Sequence, residues 1–163
     1  MEIDKDKVKK GWTFVATFIG LVATLLGIYQ YFEAKPSGDL TGQWILHLQI
    51  EKTAYNPYKG LKVGYQVYLN QAGDDVNGSG EKITENGEKL PISQRVKMDM
   101  NGRLVGKELD LLFTLYGHKR ETIGEFRLIA TDDNEYQGEF STTGANASGK
   151  AYLSRTTLRQ ANN

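Results

Sequence analysis

Two patterns of hydrophobic spacing divide this chain. From Trp12 to Phe32 (WTFVATFIGLVATLLGIYQYF) no charged residue occurs. About twenty residues at a helical rise of about 1.5 Å cross a hydrocarbon core of roughly 30 Å. Trp12 at one end and Tyr29, Tyr31 and Phe32 at the other are the aromatic girdles expected where a span meets both headgroup layers. The pattern predicts one transmembrane α-helix over 12–32, behind a basic tail over 1–11 and ahead of a linker over 33–39. A retained helix is preferred to a cleaved signal peptide, because the apolar run exceeds a signal core and no small-x-small cleavage site follows it.

After Lys35, the run Pro36-Ser37-Gly38 ends any helix, since proline cannot continue one and glycine relaxes the backbone. From there the hydrophobic period changes to two. Trp44, Leu46, Leu48 and Ile50 share one strand face, and Leu61, Val63, Tyr65, Val67 and Leu69 share the next. Val76 to Lys82 follows, then Gln94 to Met100, an Asn101-Gly102 hairpin turn, and the apolar face Leu109, Leu111, Phe113, Leu115. Thr122 to Ala130, Tyr136 to Thr142 and Ala147 to Arg155 complete the series, with Asp132-Asp133-Asn134 turning between the first two.

Eight short strands in sequence, each with one apolar face, predict a small antiparallel up-and-down barrel over 40–158, with a C-terminal tail over 159–163. Closure buries the apolar face and removes both sheet edges. A β-sandwich is the rival architecture. Glycine recurs on the inward face, in Thr122-x-Gly124-x-Phe126, Tyr136-x-Gly138-x-Phe140 and Ala147-x-Gly149-x-Ala151, where it lets strands coil at barrel corners.

Composition narrows the chemistry more than it identifies it. From Gly38 onward 15 Lys/Arg stand against 16 Asp/Glu, so no bulk charge draws a nucleic acid polymer. The absence of cysteine excludes disulfides, thiolate metal sites and a thiol nucleophile. His47 and His118 belong to no metal-ligand spacing, no serine sits in a Gly-x-Ser-x-Gly elbow, and the pairs Asp74-Asp75 and Asp132-Asp133 fall where turns want them. No catalytic set, resident metal or cofactor is expected, and the chain reads as a non-enzyme.

If strand direction alternates, the tight, acidic turns share the end where the linker enters, and the opposite rim collects the long loops. Tyr65, Lys82, Tyr116, His118 and Arg120 are the candidate ligand-binding residues of that far rim. Cations beside aromatic rings hold anionic, flat-ringed ligands by charge-assisted hydrogen bonds and stacking. A solvated surface of mixed charge is the plainer alternative, since Glu81, Glu85, Glu88 and Glu121 lie in the same loops. At the near end Trp44 opens the first strand and Arg155 closes the last. In a closed barrel those strands are neighbours, so a guanidinium over the indole face is the expected structural seal. Within the membrane span Ala16, Gly20, Ala23 and Gly27 share one face. They mark either a helix-helix oligomerisation stripe or the ordinary frequency of small residues in membrane helices.

Gly42-x-Trp44 with a basic residue after the last strand resembles the calycin signature of lipocalins. More broadly, the N-terminal membrane region, Leu40-Thr-Gly-Gln-Trp44 and the ending Tyr136-Gln-Gly-Glu-Phe-Ser-Thr … Gly149-Lys-Ala-Tyr-Leu-Ser-Arg155 resemble the transmembrane β-barrel effectors of bacterial cyclic-oligonucleotide anti-phage signalling (CBASS). That resemblance implies a barrel that senses a cyclic oligonucleotide, homo-oligomerisation through the helix in the bacterial inner membrane, and membrane disruption as the output. It assigns no individual binding residue. It also implies a cytoplasmic barrel, whereas Lys5, Lys7, Lys9 and Lys10 ahead of the span, with only Lys35 close behind it, place the barrel outside by the positive-inside bias. The competing expectation is therefore a non-enzymatic, extracytoplasmic interaction or small-ligand-binding barrel tethered to the lipid bilayer.

Overall fold

The computed structural model describes residues 38–117 and 120–156, all within the unit that begins at Pro36. The predicted membrane helix, its stripe of Ala16, Gly20, Ala23 and Gly27, and His118 lie outside the described residues. No helix among the described residues is long and apolar enough to cross a membrane.

The strands are β1 (Gly42–Lys52), β2 (Lys62–Ala72), β3 (Asp75–Glu85), β4 (Glu88–Lys89), β5 (Lys97–Val105), β6 (Glu108–Tyr116), β7 (Glu121–Asp132), β8 (Glu135–Thr142) and β9 (Ala147–Arg155). Their hydrogen-bonded order is β2-β1-β9-β8-β7-β6-β5-β3-β4, and β2 also pairs with β3. That last pairing shuts the sheet on itself. The protein is thus a closed eight-stranded antiparallel barrel, with the two-residue β4 attached to the end of β3. The sandwich is excluded, because one continuous ladder runs around the whole circumference.

Alternation dictates the interior. Leu46, Leu48, Val67, Leu69, Met98, Leu109, Leu111, Phe126, Leu128 and Leu153 are buried in one core, while the residues between them point to solvent. Phe113 stacks on Phe126 with ring centres 4.4 Å apart, and Phe140 lies 6.4 Å from Phe126. Side chains therefore fill the middle of the barrel.

One turn differs from the sequence expectation. Asn101 and Gly102 pair with Leu112 and Leu111 inside the β5-β6 ladder, and the hairpin turns instead at Gly106, whose φ is +61°. Asn-Gly signals a turn only where the alternation stops, and here it continues from Met98 through Met100 and Gly102 to Leu104. Gly102 serves close approach: a Cβ there would lie 1.9 Å from the Asp110 carbonyl oxygen. Likewise Ile92–Gln94 forms a short 3-10 turn and the strand predicted from Gln94 starts at Lys97.

Candidate functional site

The two ends of the barrel have opposite characters. At the near end, tight connections join β2 to β3, β5 to β6 and β7 to β8. Trp44 and Leu40 are fully buried, and the Trp44 indole N–H donates to the Leu40 carbonyl at 2.7 Å. The Arg155 guanidinium lies 4.5 Å from the indole centre. Register places it there, since Trp44 and Arg155 are direct cross-strand partners. Arg155 also donates to the backbone carbonyls of Thr41, at 3.1 Å, and Asp39. Tyr136 packs edge-on against Trp44 at 5.9 Å. This end is a plug.

At the far end the connections are longer and carry 3-10 turns at Asn56–Tyr58, Ile92–Gln94 and Gly144–Asn146. The β1-β2 and β8-β9 loops are tied together, because Ala54 N–H and the Thr53 hydroxyl both donate to the Ala145 carbonyl, at 2.7 and 3.2 Å. Between these loops the barrel opens into a cavity of about 240 Å³. Its floor and walls are apolar, formed by Leu48, Val63, Phe113, Leu115 and Phe140, and its polar groups come from Tyr65, Arg120, Thr122 and Thr142.

The candidate residues divide by position. Tyr65 on β2 points inward, is 4 % exposed, and lines this cavity. Burial pushes its phenol pKa far above the ordinary value, and the nearby Glu85 carboxylate adds to that shift. Arg120 stands exposed at the rim of the same cavity. Arg95, Arg103 and Arg127 are matched by Glu81, Asp74/Asp75 and Glu125, and Arg155 is matched by Trp44. Arg120 has no such partner among the described residues.

Lys82 sits across the ladder from Tyr65, but its ammonium is already paired with the Glu85 carboxylate. A bulge explains that contact. Gly64 pairs with Thr84 and Tyr65 with Lys82, so Ile83 is the unmatched residue. Residues three apart, which a regular strand would send to opposite faces, come together across it. Tyr116 does not join the cavity. Phe113 and Leu115 point inward, so Tyr116 is turned outward, and its hydroxyl donates to Asp99 at 3.0 Å. That hydrogen bond, and the Asp99 charge, raise its phenol pKa. Thr122 and Thr142 were not singled out from sequence; their signal was parity, each lying two residues from an inward position, Gly124 or Phe140.

A larger groove, about 480 Å³, crosses the outer wall over Gln66, Tyr68, Ser79, Arg95, Lys97 and Asp99. Much of its polar lining is already engaged. Arg95 pairs with Glu81 at 3.0 Å, Gln66 donates to the Tyr68 hydroxyl at 2.8 Å, and Asp99 accepts from Tyr116. The smaller mouth is the better candidate, because it combines apolar enclosure with two polar side chains, Tyr65 and Arg120, that are left unmatched among the described residues, although Thr142 already donates to the Ile123 carbonyl. No cluster of three metal-ligating side chains occurs among the described residues.

No family model matches the chain, and no curated protein matches it. Solved structures do match. A redesigned β-barrel, b11L5F_LGL, is similar with a TM-score of 0.59 at 10% identity, over 76% of this chain and 96% of that one. The protein EF1p2_mFAP2b, solved bound to DFHBI, has a TM-score of 0.58 at 11% identity, over 76% of this chain and 98% of that one. The redesigned barrel mFAP1, also bound to DFHBI, has a TM-score of 0.56 at 8% identity, covering 75% and 99%. At such identities the likeness is one of fold, and it is to closed β-barrels.

Proposed function

We propose that this chain is a non-enzymatic, small-ligand-binding barrel whose site is the far mouth. The observation that carries the reading is the pairing of an open apolar cavity with a rim guanidinium, Arg120, that has no carboxylate of its own among the described residues. Two of the structurally similar barrels were solved with a small molecule bound, which supports the same use of the fold. An anionic ligand with a flat ring suits the site: the ring enters the cavity and the charge stays at the rim.

The finer reading follows the CBASS resemblance. In it the ligand is a cyclic oligonucleotide, and the 12–32 helix assembles the chain in a bacterial inner membrane as an anti-phage effector. A cavity of about 240 Å³ suits one base rather than a whole dinucleotide, leaving phosphates for Arg120. The alternative is a tethered extracytoplasmic binding module. A topology reporter fused after Asn163 separates them, a cytoplasmic signal favouring the effector and an external one the tethered module.

Calorimetric titration of the full chain with DFHBI and with a panel of cyclic di- and trinucleotides tests the site. At least one of these anionic ligands is expected to bind, and Arg120→Ala is expected to weaken it about tenfold, the loss of one charge-assisted hydrogen bond. Silence across the panel, or binding indifferent to Arg120, contradicts the proposal.

A further inference from the structure

Tyr65 holds a position that apolar burial does not account for. A phenylalanine would bury the same ring on the same strand face, and a buried tyrosine ordinarily keeps its hydroxyl hydrogen-bonded. Trp44, at the other end of the barrel, obeys that rule through Leu40. The Tyr65 hydroxyl makes no hydrogen bond to any described residue, although the side chain is 4 % exposed. Nor is its oxygen sealed inside protein, since no fully buried side-chain oxygen lacks a partner among the described residues. The hydroxyl therefore reaches the mouth cavity that Tyr65 lines.

Resting on the small-ligand reading above, we propose that Tyr65 is the specificity-determining residue of the mouth. It selects a flat aromatic ring that carries a hydrogen-bond acceptor on its inward edge, while the ligand's negative charge is left outside at Arg120. Size sets the ring. An apolar cavity of roughly 150 Å³ takes benzene, so about 240 Å³ takes a fused bicycle between Phe113 and Phe140. Charge sets the polarity. Burial and the Glu85 carboxylate keep the phenol protonated, so it is a hydrogen-bond donor at any working pH. Glu85, itself held by Lys82, disfavours a second anionic group at that depth. A ring without an acceptor would strip water from the hydroxyl and return nothing, which is how a buried polar group rejects an isostere.

Two bicyclic carboxylates of equal shape and charge isolate the acceptor. Quinoline-6-carboxylate has a ring nitrogen on the ring away from its carboxylate, and 2-naphthoate has carbon there. The full chain, titrated by NMR, is expected to bind the quinoline about tenfold more tightly. Tyr65→Phe is expected to abolish that preference while retaining 2-naphthoate. It should also melt no lower than the unsubstituted protein, because no protein hydrogen bond is lost. Equal affinity for the two probes, or a preference that survives Tyr65→Phe, overturns the role given to Tyr65 while leaving the mouth as a binding site. A fall in Tm of about 4 °C or more also overturns it, by showing that the hydroxyl is used within the fold. Binding of neither probe overturns this inference, and together with silence across DFHBI and the cyclic nucleotides it overturns the small-ligand reading as well.

Discussion

Trp44→Ala is expected to remove about 4 kcal/mol of folding stability, the middle of the range for deleting a buried large aromatic. Trp44 is fully buried, and its removal undoes several contacts together. Tyr136 loses its edge-on neighbour at 5.9 Å, Leu40 loses the donor to its carbonyl at 2.7 Å, and Arg155 loses the ring beneath it at 4.5 Å. A domain of this size has a total stability on the order of 5–15 kcal/mol, so the variant loses between about a quarter and most of it. Urea denaturation followed by far-ultraviolet circular dichroism measures the loss. A cost under about 1.5 kcal/mol means that the plug is not what holds the near end shut.

Gly138→Ala comes next, and its mechanism is different. A Cβ on Gly138 would lie 1.9 Å from the Arg127 carbonyl oxygen and 3.0 Å from the Leu128 Cα. Both are backbone atoms of β7, so neither can rotate away. Gly138 pairs with Leu128 on one side and Ala151 on the other. The added methyl must therefore separate two strands in the middle of the ladder, at a cost of about 3 kcal/mol. Gly38→Ala is the control, since a Cβ there meets nothing within 4 Å, and its urea midpoint is expected to stay where it was. If the two variants unfold alike, the sharp coiling of the sheet is not enforced by these glycines.

Why the barrel was legible is plain in β2, where Val63, Tyr65, Val67 and Leu69 alternate without interruption and are all buried. A period of two sustained through eight segments leaves few ways to hide the apolar face. The near-end stack was legible for a topological reason: in an up-and-down barrel the first and last strands are neighbours, which puts Trp44 opposite Arg155. The misplaced hairpin shows the limit. Gly102 has the local chemistry of a turn, and only the carbonyl of a residue eight positions away, Asp110, says that the glycine is needed for packing.

The mouth was harder to read for related reasons. Tyr116 follows an inward Leu115, so parity sends it out to Asp99, whereas its position at the start of a rim loop suggested otherwise. Strand parity persists to the last paired residue, and Tyr116 is still paired with Lys97 and Glu121. Lys82 lies across the ladder from Tyr65, but its pairing with Glu85 depends on the bulge at Ile83. Nothing in the alternation announces that bulge. The unmatched state of Arg120 is likewise a property of the fold, because Glu121 stands next to it in sequence without pairing with it among the described residues.

The claim that a ligand enters the far mouth is tested most directly by mapping backbone and methyl NMR shifts of the full chain as quinoline-6-carboxylate is added. The account predicts that the largest changes gather at Leu48, Val63, Leu115 and Arg120, with Trp44 and Leu153 unmoved. Changes centred on Ser79 and Lys97 of the outer groove, or on the Trp44 end, would contradict it.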